Sequence, residues 1–114
     1  MSYRLRSVLM SADIMKGAPG FHRLAFRVDT GRGDVIDVTV LISTDAERKL
    51  VGQLTRARLP RLDSGRLLQA WARWEMALRH RETGVLPRTI TITATDLDEL
   101  GAYANALGHS MKAS

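Results

Sequence analysis

Arginine is the residue type in this chain that is numerous enough, and spaced closely enough, to form a binding site for anions. Residues 46–88 carry ten Lys and Arg against four Asp and Glu, a local charge of +6 in a chain whose total is +5. Guanidinium groups bind phosphates through paired, charge-assisted hydrogen bonds. The candidate nucleic-acid-binding residues in this region are Arg56, Arg58, Arg61, Arg66, Arg73 and Arg79. Their density predicts a surface that prefers polyanions.

Two interpretations of the arginine excess stay open. Arg66 and Arg73 are seven residues apart and therefore line one side of a predicted helix, where they could hold phosphates. Alternatively, fourteen of the seventeen basic residues are Arg because a GC-rich genome favours Arg codons. In that case the side chains form an ordinary solvated face, with Glu75 and Arg79 as an i,i+4 pair. Convergence of the guanidinium groups on one patch favours the first interpretation, and dispersion favours the second.

Residues suited to catalysis or metal binding are sparse. The three histidines of the chain are widely separated, at His22, His80 and His109. None of them forms a pair with metal-ligand spacing, and the absence of cysteine excludes thiolate metal sites and disulfides. The acidic cluster of Asp96, Asp98 and Glu99 stands at a predicted helix start, where capping accounts for it. We therefore expect a protein that is not an enzyme and that holds no metal or cofactor.

Length and composition fit one globular domain. The chain has 114 residues, of which 45% are hydrophobic and 25% charged, and this is typical of a protein that buries a single core. No apolar run approaches the roughly 18 residues that a membrane helix needs, and the N-terminus lacks the apolar stretch of a secretory signal. These features predict a cytoplasmic protein without a membrane partner. We expect a single domain over residues 1–108 and a flexible tail over residues 109–114.

Four segments have the alternation or the β-branched content of strands. They are Tyr3–Met10, His22–Asp29, Val35–Ser43 and Arg88–Ala94. The segment Thr30–Asp34, between the second and the third, contains two glycines that permit positive φ. These two strands are therefore expected to form an antiparallel hairpin.

Capping residues and periodicity predict three helices, the first two in succession. Thr44 and Glu47 form a capping-box pattern at the start of the first helix, and Pro60 ends it. Asp63 or Ser64 begins the second helix. The two tryptophans of that helix have helical spacing with neighbouring leucines, so we expect them in the core or else as anchors for a partner.

The third helix is expected to begin at Thr95, because acidic residues in the next positions suit the positive end of a helix. One apolar stripe along it is expected to be buried: Leu97, Leu100, Ala104 and Leu107. Gly108 is expected to end the helix.

The elements follow the order β-β-β-α-α-β-α. Hairpin-connected strands and clustered helices predict an α+β fold, an antiparallel four-stranded sheet with three helices packed on one face. The other face of the sheet would then present a second, weaker basic surface, formed by Arg4, Arg6, Arg23 and Arg27. That surface lacks the exposed aromatic rings on which bases stack, so we do not expect recognition by stacking there.

Two functional hypotheses follow. The first is a small non-enzymatic module that binds nucleic acid through phosphate contacts from the arginine-rich helical pair, with little base preference and a steep dependence on salt. The second is a protein-interaction module that acts on a larger protein complex, either an adaptor or an inhibitor of the kind that a phage or mobile element encodes. It would use the arginine cluster against an acidic protein surface, or strand pairing at an exposed sheet edge. The same edge, or the tryptophan-bearing helix, could also join copies of the chain into a homo-oligomer.

Overall fold

Four strands form one sheet whose spatial order follows the chain, β1-β2-β3-β4. The strands are β1 (Arg6–Met15), β2 (Phe21–Asp29), β3 (Val35–Ser43) and β4 (Thr89–Ile92). An α+β fold is completed by one 3-10 turn (Ala94–Asp96) and three helices, α1 (Thr44–Arg56), α2 (Ser64–Thr83) and α3 (Ala102–Ala113). This computed structural model describes residues 5–59 and 62–113. Four residues on which sequence predictions depend lie outside those ranges: Tyr3, Arg4, Pro60 and Arg61.

The hairpin of β2 and β3 forms as the sequence predicts, with its strands antiparallel throughout. Its turn is built on Gly31 and Gly33, whose φ angles of 82° and 86° lie in the left-handed region that glycine adopts without strain. The Gly31 amide donates to the Asp29 carboxylate at 2.9 Å. The turn therefore satisfies one of its own backbone groups at the end of β2.

β1 extends farther than its alternation indicates. The sequence predicts an end at Met10, but the strand continues to Met15 and pairs antiparallel with β2. The register shifts between Leu9 and Ser11, which marks a β-bulge. Because a bulge inserts one residue, the side chains that follow change phase, and the alternation that identifies a strand is interrupted at that point.

β4 lies beside β3 and runs parallel to it, so the prediction of a purely antiparallel sheet is wrong. The reason is the path of α2. Ser64 begins that helix near the end of β3, where its hydroxyl donates to Glu47 in the first turn of α1. Twenty residues at about 1.5 Å each carry the chain back by about 30 Å, which is the length of a nine-residue strand. After residues 84–88 the chain enters the sheet beside Thr39, in the middle of β3, and β4 runs parallel to the second half of that strand.

The predicted N-terminal cap of α2 is confirmed, whereas the predicted cap of α1 is wrong by one residue. Ser43 caps α1 in place of Thr44, because its hydroxyl accepts from the Ala46 amide at 3.0 Å. Asp63 caps α2 as expected, its carboxylate accepting an amide of the first turn. At the other end of α2, Gly84 takes the left-handed conformation with φ 74°.

α3 begins and ends later than predicted. It starts at Ala102, where both carboxylate oxygens of Asp98 accept amides of the first turn at 2.8 Å. Leu100 precedes the helix and is 95% exposed, so it does not belong to the buried stripe. Gly108 lies inside the helix, and an added Cβ there would stand 2.6 Å from the Leu59 side chain. Glycine therefore allows α3 to approach the end of α1 closely.

One buried core joins the covered face of the sheet to all three helices. Its fully buried side chains include Phe26 and Ile42 from the sheet, Leu50 from α1, Trp71 from α2 and Leu107 from α3. The helices thus pack on one face of the sheet, and the core holds α2 and α3 side by side.

Candidate nucleic-acid interface

A groove between α2 and the C-terminal half of α3 contains two of the predicted arginines. Its volume is about 560 Å³. It is lined by Leu62, Arg66, Gln69, Ala70, Arg73, Trp74, Ser110 and Met111. None of these described lining residues carries a carboxylate, so the positive charge of the groove is not offset from within.

Arg66 stands in the first turn of α2 and is exposed. Its backbone amide donates to the Asp63 cap at 3.0 Å, which fixes the point where the side chain leaves the helix. Within residues 5–59 and 62–113, its guanidinium has no hydrogen-bond or ion-pair partner. The whole donor capacity of this group is therefore available to a phosphate.

Arg73 lies two turns later and is held by neighbouring elements. Its Nε donates to Ser7 Oγ of β1 at 3.0 Å, and its Nη1 donates to Gln69 Oε1 at 3.4 Å. The guanidinium also lies 5.4 Å from the centre of the Phe26 ring, within the range of a cation–π contact. None of these partners is negatively charged, so Arg73 keeps its net charge and has a restricted orientation. A restricted cation loses less side-chain entropy when it binds an anion.

A network behind the groove fixes α2 against α3. The rings of Trp74 and Tyr103 meet edge to face, with centroids 5.2 Å apart. Trp71 is fully buried, which confirms its predicted place in the core, and its Nε1 donates to the Tyr103 hydroxyl at 2.7 Å. That hydroxyl donates to Glu75 Oε1 at 2.8 Å, and Arg79 Nε donates to Glu75 Oε2 at 3.0 Å. The buried carboxylate therefore has a donor on each oxygen.

Burial raises the pKa of the Tyr103 hydroxyl above its ordinary value of about 10, and the neighbouring Glu75 charge raises it further. The unfolded chain therefore releases this proton at a lower pH than the folded protein does. Above about pH 10, the free energy of unfolding should fall by about 1.4 kcal/mol for each pH unit. Urea denaturation between about pH 9 and about pH 11 measures this slope. Tyr103→Phe should remove this contribution, and an equal slope in both proteins would contradict the expectation.

Arg79 is half-exposed, but it is paired with a buried carboxylate. The Glu75 side chain is only 6% exposed, and a buried carboxylate requires a compensating partner. Arg79 supplies that charge, so the pair is neutral as a unit. The i,i+4 pair expected of a solvated helix face does exist, but its acid lies in the core.

Arg56 and Arg58 lie away from the groove, at the end of α1. Arg56 lines a separate hollow beside the start of α3, together with Glu99 and Asn105. Arg58 follows the helix with φ 54° and is exposed. The predicted set therefore does not converge on one patch, and for the set as a whole this dispersion favours the interpretation of an ordinary solvated face. Two members share the groove, one is neutralised, two lie near the end of α1, and Arg61 is outside the described residues.

The second basic surface, on the open face of the sheet, is largely neutralised. Arg23 forms two hydrogen bonds with Asp13, and its guanidinium lowers the pKa of that carboxyl. Arg27 Nε donates to Asp37 at 3.3 Å. Both pairs join residues directly opposite each other on neighbouring strands. Of the described members of this surface, only Arg6 has no partner within the described ranges.

One polar cluster gave no sequence signal. His22 Nε2 lies 2.8 Å from Glu47 Oε1, and Ser64 Oγ donates to Glu47 Oε2 at 2.6 Å. The carboxylate stands between the histidine and the serine, so the imidazole is not placed to take a proton from the hydroxyl, as nucleophilic catalysis requires. The cluster instead links β2, α1 and α2. Its members are 25 and 17 residues apart, beyond the reach of local patterns.

No His, Asp and Glu side chains in the described part of the chain form a group of three that could hold a metal ion. The described helices include none with the length and apolar character to cross a membrane. Comparison with protein-family models, curated proteins and solved structures found no match.

Proposed function

We propose that this protein is a small non-enzymatic module that binds nucleic acid through phosphate contacts in the groove between α2 and α3. One observation carries the proposal. Arg66 and Arg73 line the same groove, and no carboxylate is found among its described lining residues. A groove of one charge sign concentrates ligands of the opposite sign. When guanidinium groups bind the phosphates of a nucleic acid, they displace its condensed counterions, and the release of these ions favours binding.

The lining residues support different contacts with such a ligand. Arg66 offers an unpaired guanidinium, and Arg73 offers one that is already oriented. Trp74 is half-buried in the same groove, so part of its ring can stack on a base. Stacking requires a base that has left the duplex stack, which favours a single strand as the ligand.

The other predicted arginines have smaller roles in this proposal. The side chains of Arg56 and Arg58 have no hydrogen-bond or ion-pair partner in residues 5–59 and 62–113, and they add long-range attraction without reaching the groove. Arg79 contributes little, because Glu75 offsets its charge. The proposal also includes a cytoplasmic location, as one compartment in which nucleic acids occur.

Arg66→Glu should weaken binding of a labelled single-stranded oligonucleotide by at least about tenfold, because one charge-assisted contact is worth about 1.5–3 kcal/mol. The new acid would stand in the first turn of α2, where the helix dipole favours it, so loss of binding would not reflect unfolding. Fluorescence polarisation at low and physiological salt measures the affinity. The slope of log affinity against log salt should fall by about 1.

Arg81→Glu is the matched control. Arg81 lies on the same helix, is exposed, has no partner among the described residues and does not line the groove. Its reversal changes the net charge equally and reaches the groove only through screened, long-range attraction. Because an acid in the last turn of α2 opposes the helix dipole, circular dichroism must show that this variant is folded. An equal loss of affinity in the two variants would contradict the proposed groove. Absence of binding by the unmodified protein at low salt would contradict the proposed function itself.

A further inference from the structure

The free edge of β1 is the longer of the two outer edges of the sheet. β1 spans 10 residues, whereas β4, on the other side, spans 4. Within residues 5–59 and 62–113, no strand pairs with the outer side of β1. Its outward N–H and C=O groups are therefore available to a further strand.

The side chains of β1 do little to protect this edge. Val8, Met10, Ile14 and Met15 are 61%, 54%, 60% and 41% exposed, and they are four of the seven large apolar side chains that the described residues expose. Natural edge strands usually carry Lys, Pro or inward-facing charges that discourage pairing. β1 contains no Lys or Pro, and its protection is limited to one bulge.

The charges of β1 indicate what occupies the edge. The strand has two ionised side chains of opposite sign, Arg6 at its start and Asp13 near its end. Arg6 has no partner in the described ranges, and Asp13 is bound by Arg23 of β2, on the side away from the edge. A strand that is positive at one end and negative near the other is complementary to a second copy of itself in the antiparallel direction.

We propose that two copies of this chain pair antiparallel through β1, about a two-fold axis, and join their sheets into one. Directly opposite residues of antiparallel strands share a face. Arg6, Val8, Ser11 and Asp13 share the open face of the sheet, because each lies opposite a β2 residue of that face. A register that pairs Arg6 with Asp13 of the second copy also pairs Val8 with Ser11 of the second copy. The two bulges then face each other at the axis.

Electrostatics selects this register. Sliding the second copy by two residues in one direction also keeps the faces matched, but it sets Arg6 opposite Met15 of the second copy. It also sets Val8 opposite Asp13 of the second copy. Each charge would then meet an apolar side chain, whereas opposite charges stabilise a cross-strand pair. The register with two Arg6–Asp13 pairs is therefore the one that we assign.

The mass of the protein in solution tests the interface. The unmodified protein should be a dimer in size-exclusion chromatography with light scattering. Val8→Lys should raise the dissociation constant by at least about tenfold, because it adds a cation to each copy close to the axis. Val35→Lys is the matched control and should leave the dimer intact. Val35 is 62% exposed on the same sheet face, but it belongs to β3.

A charge swap tests the register. Arg6→Asp alone brings carboxylates together in both pairs, and Asp13→Lys alone brings cations together, so each variant should be monomeric where the unmodified protein is a dimer. Mixed in equal amounts, the two variants should recover the dimer, since each new side chain then faces one of opposite charge. Recovery depends on the assigned register and does not follow from a general change in net charge.

Three outcomes would overturn the proposal. A protein that stays monomeric at concentrations up to about 1 mM does not pair with itself, which overturns the proposed dimer. A dimer that survives Val8→Lys uses a different interface. Charge variants that stay monomeric when mixed overturn the register.

Discussion

Trp71→Ala should lower the free energy of unfolding by about 3–5 kcal/mol, the largest effect that we expect from one substitution. The Trp71 side chain is fully buried, and its indole N–H donates to Tyr103. Truncation leaves a cavity that a close-packed interior fills only in part. It also leaves the Tyr103 hydroxyl without its donor. Such a loss is a large share of the roughly 5–15 kcal/mol that stabilises a small domain.

Urea denaturation followed by far-ultraviolet circular dichroism measures this loss. Trp74→Ala is the comparison, because Trp74 lies three residues later on the same helix but is only half-buried at the groove. We expect Trp74→Ala to cost clearly less. Equal losses would show that Trp71 is not the packing centre between α2 and α3.

Tyr103→Phe should cost at least about 2 kcal/mol, although it removes a single oxygen. The hydroxyl accepts from Trp71 and donates to Glu75, so its removal leaves an indole N–H and one oxygen of a buried carboxylate without partners. Each such group costs about 1–3 kcal/mol. The edge-to-face contact with Trp74 can persist, since the ring is retained. The loss is therefore one of hydrogen bonding and can be measured by the same denaturation.

A double substitution separates the network from simple loss of packing. Glu75→Leu replaces the buried carboxylate by an apolar side chain of similar volume, and Arg79 is exposed enough to be solvated without it. Glu75→Leu combined with Tyr103→Phe should therefore cost less than the sum of the two single changes. The difference is the coupling free energy of the pair. Additive losses would show that the hydroxyl and the carboxylate act independently.

The parts of the fold that depend only on residues close together in the sequence were predictable. Asp63 holds its expected place at the start of α2, and the glycines of the β2–β3 turn have positive φ. The direction of β4 depends instead on where a 20-residue helix returns the chain, which no local pattern records. The bulge in β1 was hidden for a similar reason, because the pairing with β2 defines it.

The candidate site divides in the same way. The seven-residue spacing of Arg66 and Arg73 is a local property, and both residues line the groove. The pairing of Arg79 with a buried carboxylate could not be predicted, because an i,i+4 pair has the same spacing whether its acid is exposed or buried. The packing of α3 against α2 is what buries the Glu75 side chain. The contact of Arg73 with Ser7 joins residues 66 positions apart and was equally invisible.

The hydrogen bond between Arg73 and Ser7 connects the groove to the edge strand of the sheet. An anion bound by Arg73 in the proposed groove would act on a guanidinium that this bond holds, and a strand added to β1 in the proposed dimer would restrict the backbone that carries Ser7. Both ligands therefore act on one shared interaction. Thermodynamic reciprocity requires each to change the affinity for the other by the same factor. The factor by which an anion in the groove changes the affinity of the β1 edge for a strand therefore equals the factor by which that strand changes the affinity of the groove for the anion.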